Sequence, residues 1–189
     1  MIHIIMKKNL LISIKAVIMT AALITTVFIT SGCSKDDDKV DGPSIEWAAN
    51  PNFSTEELAA QGMSVDLTIK APAGIEGIVI SVQSPAASFI ATLNAMISIE
   101  ENKDATSPKL DLINDATVSS TLTALGIQSG TAVQGKTELE LNLSSLVPMI
   151  LYFSPAANTD HIFTATITDK NGNTYSKAVK FHYSGSETN

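Results

Sequence analysis

Residues 163–183 read FTATITDKNGNTYSKAVKFHY, and the way this stretch folds back on itself decides the architecture. Phe163, Ala165 and Ile167 alternate with Thr164, Thr166 and Thr168, the period of two expected of a strand with one apolar and one wet face. Asp169-Lys170-Asn171-Gly172-Asn173 interrupts the pattern, and a second strand runs on through Tyr183. A two-residue Asn-Gly turn would pair Lys170 with Asn173, setting Phe163 against Lys180 and Ile167 against Ser176 and so mixing the faces. Pairing Asp169 with Asn173 instead sets Phe163 against Val179 and Ile167 against Tyr175. Side-chain parity therefore predicts a three-residue loop, a type I turn with Gly172 left-handed in a bulge.

Working back from the hairpin, TELELNL (137–143) alternates with Leu139, Leu141 and Leu143 inward, and Val65, Leu67 and Ile69 alternate with Asp66, Thr68 and Lys70. Residues 78–82 (IVISV) are more continuously apolar and read as a central, better covered strand. Ser44-Ile45-Glu46-Trp47 starts the fold as a short strand. Trp47, the sole tryptophan, is expected in the core because aromatics bury large area; its alternative use is as a stacking platform for a sugar ring.

Helical signals fall between these strands. Ser54 with Glu57 three residues later predicts a capped short helix that ends at Gly62. Ser84-Pro85 predicts an N-cap and first helical residue ahead of the stripe Phe89, Ile90, Leu93, Met96 and Ile97. Residues 100–108 form a polar loop. Asn114 or Asp115 caps a second helix carrying Val118, Leu122 and Leu125, closed by Gly126 with Ile127 as its hydrophobic contact. Residues 127–136 form an irregular loop or weak strand, and Ser144 caps a short helix containing Leu146, Val147, Met149 and Ile150. Six or so strands with antiparallel alternation predict a mainly β fold, an antiparallel β-sandwich over 44–184 with a helical insertion at about 84–126. The last strands and their Asp-Lys-Asn-Gly-Asn turn resemble immunoglobulin-like modules of bacterial surface proteins, which implies an immunoglobulin-like sandwich.

The N-terminal part carries an address. Lys7 and Lys8 form a basic region, residues 16–29 an apolar one, and Ser31-Gly32 lead to Cys33, the only cysteine. Lys15 leaves the uninterrupted apolar stretch short of the roughly 20 residues of a membrane span. Met6-Lys7-Lys8 reads as a more natural start, with Met1–Ile5 an extension. The segment resembles a bacterial lipoprotein signal peptide of the type cleaved just before a cysteine by signal peptidase II, with Thr30 departing from the usual Leu, Val or Ile. The resemblance implies that residues 1–32 are removed and that Cys33 is diacylated and usually N-acylated, so that the membrane is a partner through lipid; two or more chains anchor stably where one does not. Asp36-Asp37-Asp38 resembles the surface-export signal of Bacteroidetes lipoproteins and implies placement in the outer membrane, facing outward. Physically, residues 33–43 read as an acidic, disordered tether and 185–189 as a flexible tail. A single cysteine allows no intramolecular disulfide.

Residues 1–32 hold three of the 12 lysines and none of the 19 acids, so the remainder sets nine lysines against 19 acids, a net charge of −10 against −7 for the whole chain. There is no arginine. An acidic chain of this kind is a poor binder of nucleic acid, phosphates or anionic lipid heads.

Catalytic and metal-binding patterns are sparse. His161 and His182 fall near the open end of the hairpin, on opposite faces, and read as exposed strand-end residues rather than metal ligands, since no H-x-x-x-H, H-E-x-x-H or cysteine spacing accompanies them. Asp169, Asn171 and Asn173 lack the glycine and glutamate positions of a calcium loop. No G-x-S-x-G elbow occurs. Glu138 and Glu140 share a strand face about 7 Å apart, a spacing that could suit glycoside hydrolysis if something enclosed them. The sequence thus points to no catalytic residue, metal or cofactor. It favours a lipid-anchored surface module that captures a glycan or protein, with accessory service to a nutrient-uptake complex as one setting, over a pilus-like structural subunit or a glycan hydrolase. Among loops, the helical insertion and the turn around Gly130 are the expected contact surface, without individual binding residues.

Overall fold

The computed structural model describes residues 42–59 and 62–185. The expected signal peptide (1–32), Cys33 and nearly all of the tether and tail lie outside the described residues. Within them the protein is mainly β, with two sheets. Strands β1 (Ser44–Trp47), β3 (Asp66–Lys70) and β6 (Glu138–Asn142) form one, in the order β1-β3-β6. The other contains β2 (Glu56–Glu57), β4 (Ile75–Gln83), β5 (Lys109–Asp111), β7 (Thr159–Asp169) and β8 (Thr174–Tyr183), in the order β2-β8-β7-β4-β5. All pairs are antiparallel except β2 with β8.

The two sheets share one core. Ile45, Trp47, Leu67, Ile69, Leu139 and Leu141 from the small sheet join Ile78, Ile80, Phe163, Ala165, Ile167, Val179 and Phe181 from the large one in a single buried cluster. Ring contacts cross the layers, Trp47 lying 6.1 Å from Phe181 and Phe181 lying 6.0 Å from Phe163. Each large buried apolar side chain among them stabilises by roughly 1.5–3 kcal/mol through area removed from water. Trp47 is 3% exposed and donates its ring N–H to the Ser64 carbonyl, so it packs in the core as its area demands.

The hairpin folds in the parity-favoured register. Phe163 pairs with Val179 and Ile167 with Tyr175. The Gly172 N–H closes a turn on the Asp169 carbonyl at 2.9 Å, and the Asp169 N–H bonds the Asn173 carbonyl. Gly172 is left-handed at φ 79°. The Asp169 carboxylate also accepts the backbone N–H groups of Asn171 and Asn173 and the Asn173 amide, so it organises the turn.

Several local expectations give way to tertiary hydrogen bonding. Ser54–Leu58 is extended, not helical. The Asn50 amide oxygen takes the Ser54 N–H and hydroxyl, and its nitrogen donates to the Ser54 carbonyl and to Glu56, so the capping groups are already engaged. Glu56 and Glu57 then pair beside Phe181 and His182 as β2. The first helix, α1 (Ala87–Met96), starts after Ala86 rather than Ser84, because the Ser84 hydroxyl is turned to His161. Ser144 likewise caps nothing. Its hydroxyl accepts the Val65 N–H, and residues 147–153 form a 3-10 run behind Leu146. The segment 84–126 contains more than helix, since β5 returns to pair with β4. Residues 130–132 form a single 3-10 turn.

The second helix, α2 (Ala116–Ala124), follows the predicted capping. Asp115 accepts from the N–H groups of Thr117 and Val118. Gly126 is left-handed at φ 80°, and Ile127 N–H reaches back to the Leu122 carbonyl. Among the described residues no helix is long and apolar enough to cross a membrane.

Candidate functional site

The sheets leave a groove where β1 comes alongside β8. β1 ends its sheet, so its outer edge has no strand partner, while β2 reaches β8 only at Phe181 and His182. A hollow of about 440 Å³ lies there, within the roughly 300–1,000 Å³ of small-molecule sites. Ile45 and Trp47 contribute to its apolar lining, with Phe53, Tyr175 and Lys177 beside them and Glu46 and Thr68 from the outer face of the small sheet.

Local chemistry places each of these groups. The turn after β1 closes on Asn50, whose carbonyl accepts the Phe53 N–H at 2.9 Å. Phe53 is left-handed at φ 50°, an uncommon conformation for an aromatic residue, and its ring meets Trp47 edge-on at 6.0 Å. Tyr175 and Lys177 share the parity of Val179 and Phe181, whose side chains are in the core. Beyond the cover of β1 that inner face opens, leaving Tyr175 at 36% exposure, one of two large exposed hydrophobic residues among those described. The Lys177 ammonium stands 4.8 Å from the Phe53 ring centroid, in cation–π range. Glu46 is engaged by Lys70 at 3.2 Å, and the Thr68 hydroxyl donates to Glu140. The arrangement provides aromatic surface, one ammonium and an unpaired strand edge in one concavity. A second hollow, of about 310 Å³, also borders Trp47 and is lined in part by Glu56, Glu57, Met63 and Phe181.

The structure corrects the reading of the histidines. They do face opposite sides, but His161 is completely buried, while His182 is partly exposed and lies 2.7 Å from Asp160. Thr159 donates its hydroxyl proton to the Ala156 carbonyl at 2.6 Å, so its contact with His161 Nε2 makes that nitrogen the donor. His161 Nδ1 therefore accepts the Ser84 hydroxyl at 2.8 Å, and Ser84 Oγ accepts the Ala86 N–H. Burial pushes the His161 imidazole below its ordinary pKa, with Asp160 pulling it upward and His182 adding to the depression. A serine hydroxyl on an imidazole has the contact of a nucleophile and its base. Here the ring is wholly buried and oriented by threonine, so the pair works as a clasp joining the end of β4 to the start of β7.

The remaining candidates do not converge. Glu138 and Glu140 face solvent on β6, a strand that ends its sheet. Among the described residues no three His, Cys, Asp or Glu side chains are grouped to hold a metal ion. Cys33 lies outside the described residues. In the insertion, the most conspicuous group is Asp115, fully buried, which accepts from the Ser98 N–H and hydroxyl and the Ile99 N–H as well as capping α2. Burial alone would raise its pKa; the Ser98 hydroxyl and the N–H groups of Val118, Ile99 and Ser98 outweigh that and hold it at about 2. This is the chemistry of a structural anchor. At the same end of the fold as His161, Tyr152 projects from the 3-10 run at 87% exposure, within a stretch (141–159) that has no charged residue.

The groove was not legible as a site, yet it left a trace. Lys177 breaks the apolar parity of Tyr175, Val179 and Phe181, and a local rule broken on an otherwise regular strand commonly marks function. No protein-family model, curated protein or solved structure matches this chain.

Proposed function

We propose that this chain is a non-catalytic, lipid-anchored surface module that captures a glycan, built on an immunoglobulin-like sandwich. The groove beside β1 carries the reading. Sugar rings offer C–H faces that pack on aromatic side chains and hydroxyls that need hydrogen-bond partners, and the groove offers Phe53 and Tyr175 beside an unpaired strand edge. The anchor reading rests on Thr30-Ser31-Gly32-Cys33 and the acidic run behind it. Immunoglobulin-like topology is supported by the two packed sheets and the long closing hairpin. The pilus-like alternative is disfavoured at β6, whose outward Glu138 and Glu140 would repel an added strand of acidic character.

The test has two arms. Palmitate labelling of cells expressing the full chain should mark it, and Cys33→Ser should abolish the label; equal labelling of both would end the anchor reading. The solubilised full chain should bind oligosaccharides on an array, and Tyr175→Ala should reduce binding about tenfold, which corresponds to about 1.4 kcal/mol. No saccharide retained above background would end the glycan reading. A second reading, capture of a protein, is favoured by Tyr152 alone. It expects a cross-linked neighbour on intact cells that disappears with Tyr152→Ser.

A further inference from the structure

We infer that the groove selects a carboxylated sugar, a uronic acid unit within a glycan; the inference rests on the glycan reading above and adds the ligand's charge. Lys177 supplies the argument. It stands on the inner-face side of β8, where Val179 and Phe181 continue the core, at a half-buried position in the lining of the groove. Among the described residues it makes no ion pair, and its one recorded contact is the face of Phe53. The other charge in the groove, Glu46, is neutralised by Lys70.

The groove therefore presents one uncommitted cation beside two aromatic rings, on a molecule whose net charge is −7. Anions are repelled from such a surface in general, so a carboxylate is accepted only where a local cation outweighs the global field. A uronic acid meets all the features together. Its ring packs against Phe53 or Tyr175, its carboxylate meets the Lys177 ammonium, and its hydroxyls reach the edge of β1. A phosphate or sulfate ester would want bidentate arginine or several cations, and this groove holds one lysine.

The experiment is titration of the full chain with an oligogalacturonate and with the same oligomer fully methyl-esterified, which keeps the ring and removes the charge. Trp47, the only tryptophan and part of the groove lining, gives a fluorescence signal, and calorimetry checks it. The acid form should bind about tenfold more tightly at low salt, with the preference shrinking as salt rises. Lys177→Met, which removes the ammonium and keeps an unbranched apolar side chain, should erase the preference, so that acid and ester bind equally; Lys177→Arg should retain it. Thermal unfolding of each variant near wild type secures the comparison. Equal binding of acid and ester, or a preference that survives Lys177→Met, overturns the uronate inference and leaves the glycan reading standing. Binding of neither form, with neutral oligosaccharides also rejected, overturns both.

Discussion

The β7–β8 hairpin and the insertion that runs from the end of β4 through α2 solve the same problem by different means. In the hairpin, backbone groups pair along a continuous ladder from Thr159–Tyr183 to Thr168–Thr174, and side chains alternate between core and solvent along β7 and along β8 from Val179 to Phe181. In the insertion the backbone turns too often for a ladder. Side chains take over: Asp115 gathers the N–H groups of Ser98 and Ile99, Asp111 those of Ile113 and Asn114, and Asn94 exchanges two hydrogen bonds with the backbone of Asp104. A ladder distributes its hydrogen bonds over many residues, whereas a carboxylate hub concentrates them on one. The two regions should therefore fail differently.

The largest effect is expected at the point where they meet. Phe163 on β7 is fully buried and lies 6.5 Å from the Phe89 ring of α1 and 6.0 Å from Phe181. Phe163→Ala should cost about 3–5 kcal/mol in urea unfolding, with one transition seen by every probe. Two separated transitions would mean that insertion and hairpin are not one cooperative unit.

Asp115→Ala should come next. It removes a helix cap and leaves the Ser98 and Ile99 N–H groups without their acceptor, a loss of about 2–4 kcal/mol. Native-state hydrogen exchange should place the change first in the insertion, with amides near 98–99 and 117–118 losing protection before those of β7 and β8. Uniform loss would erase the proposed contrast.

Acid should reveal the same hub. The folded pKa of Asp115, about 2, lies below its ordinary 3.8, so the unfolded chain binds the proton first as pH falls. The carboxylate's stabilisation, about 2 kcal/mol from the size of that shift, is fully present above pH 4 and is lost as pH drops through 2. Asp115→Asn should flatten this part of the stability–pH curve. His161 acts in a higher window with the same sign. Its depressed pKa means that the unfolded state protonates first below pH 6.5, so stability falls as pH falls from there. His161→Gln should remove that slope; a slope left unchanged would place it on another group.

The difference between the regions also explains what could be read from sequence. Periodicity of two reports the hairpin because each residue's role depends on its immediate neighbours, and parity alone selected the Asp169–Asn173 register. α2 was readable for a similar reason, its Asp115 cap and Gly126 terminus both being local. The helix predicted at Ser54 and the cap predicted at Ser84 failed because distant or side-chain partners claimed the capping atoms: Asn50 in one case, His161 in the other. β5 was passed over since a three-residue strand has no period, and its identity depends on β4. The burial of His161 was hidden because a satisfied neutral imidazole at a strand end needs Ser84 and Thr159, one of them 77 residues away. As for the groove, the resemblance at the N-terminus directs attention to Cys33, while the site itself depends on β1 stopping short of Tyr175 and Lys177. Only the parity of Lys177 and the sugar-stacking alternative for Trp47, which lines the groove, hinted at it.

The smallest predicted effect isolates the backbone. Gly172 in the hairpin turn and Gly126 at the end of α2 are left-handed at φ 79° and 80°, and a Cβ at either would meet nothing within 4 Å. Alanine at these positions therefore adds backbone strain without a clash, about 1–2 kcal/mol in each case. Asparagine, which tolerates the left-handed region, should recover part of that loss at both sites. If ladder and hub differ only in how they satisfy hydrogen bonds, Gly172→Ala and Gly126→Ala should lower the urea midpoint by similar amounts. They should still separate in kinetics. The hairpin turn joins strands that are adjacent in sequence, so if it closes early and α2 docks later, Gly172→Ala slows folding whereas Gly126→Ala mainly speeds unfolding. Stopped-flow folding of the two variants measures both arms, and equal partitioning between them would show the insertion to be as much a part of the nucleus as the hairpin.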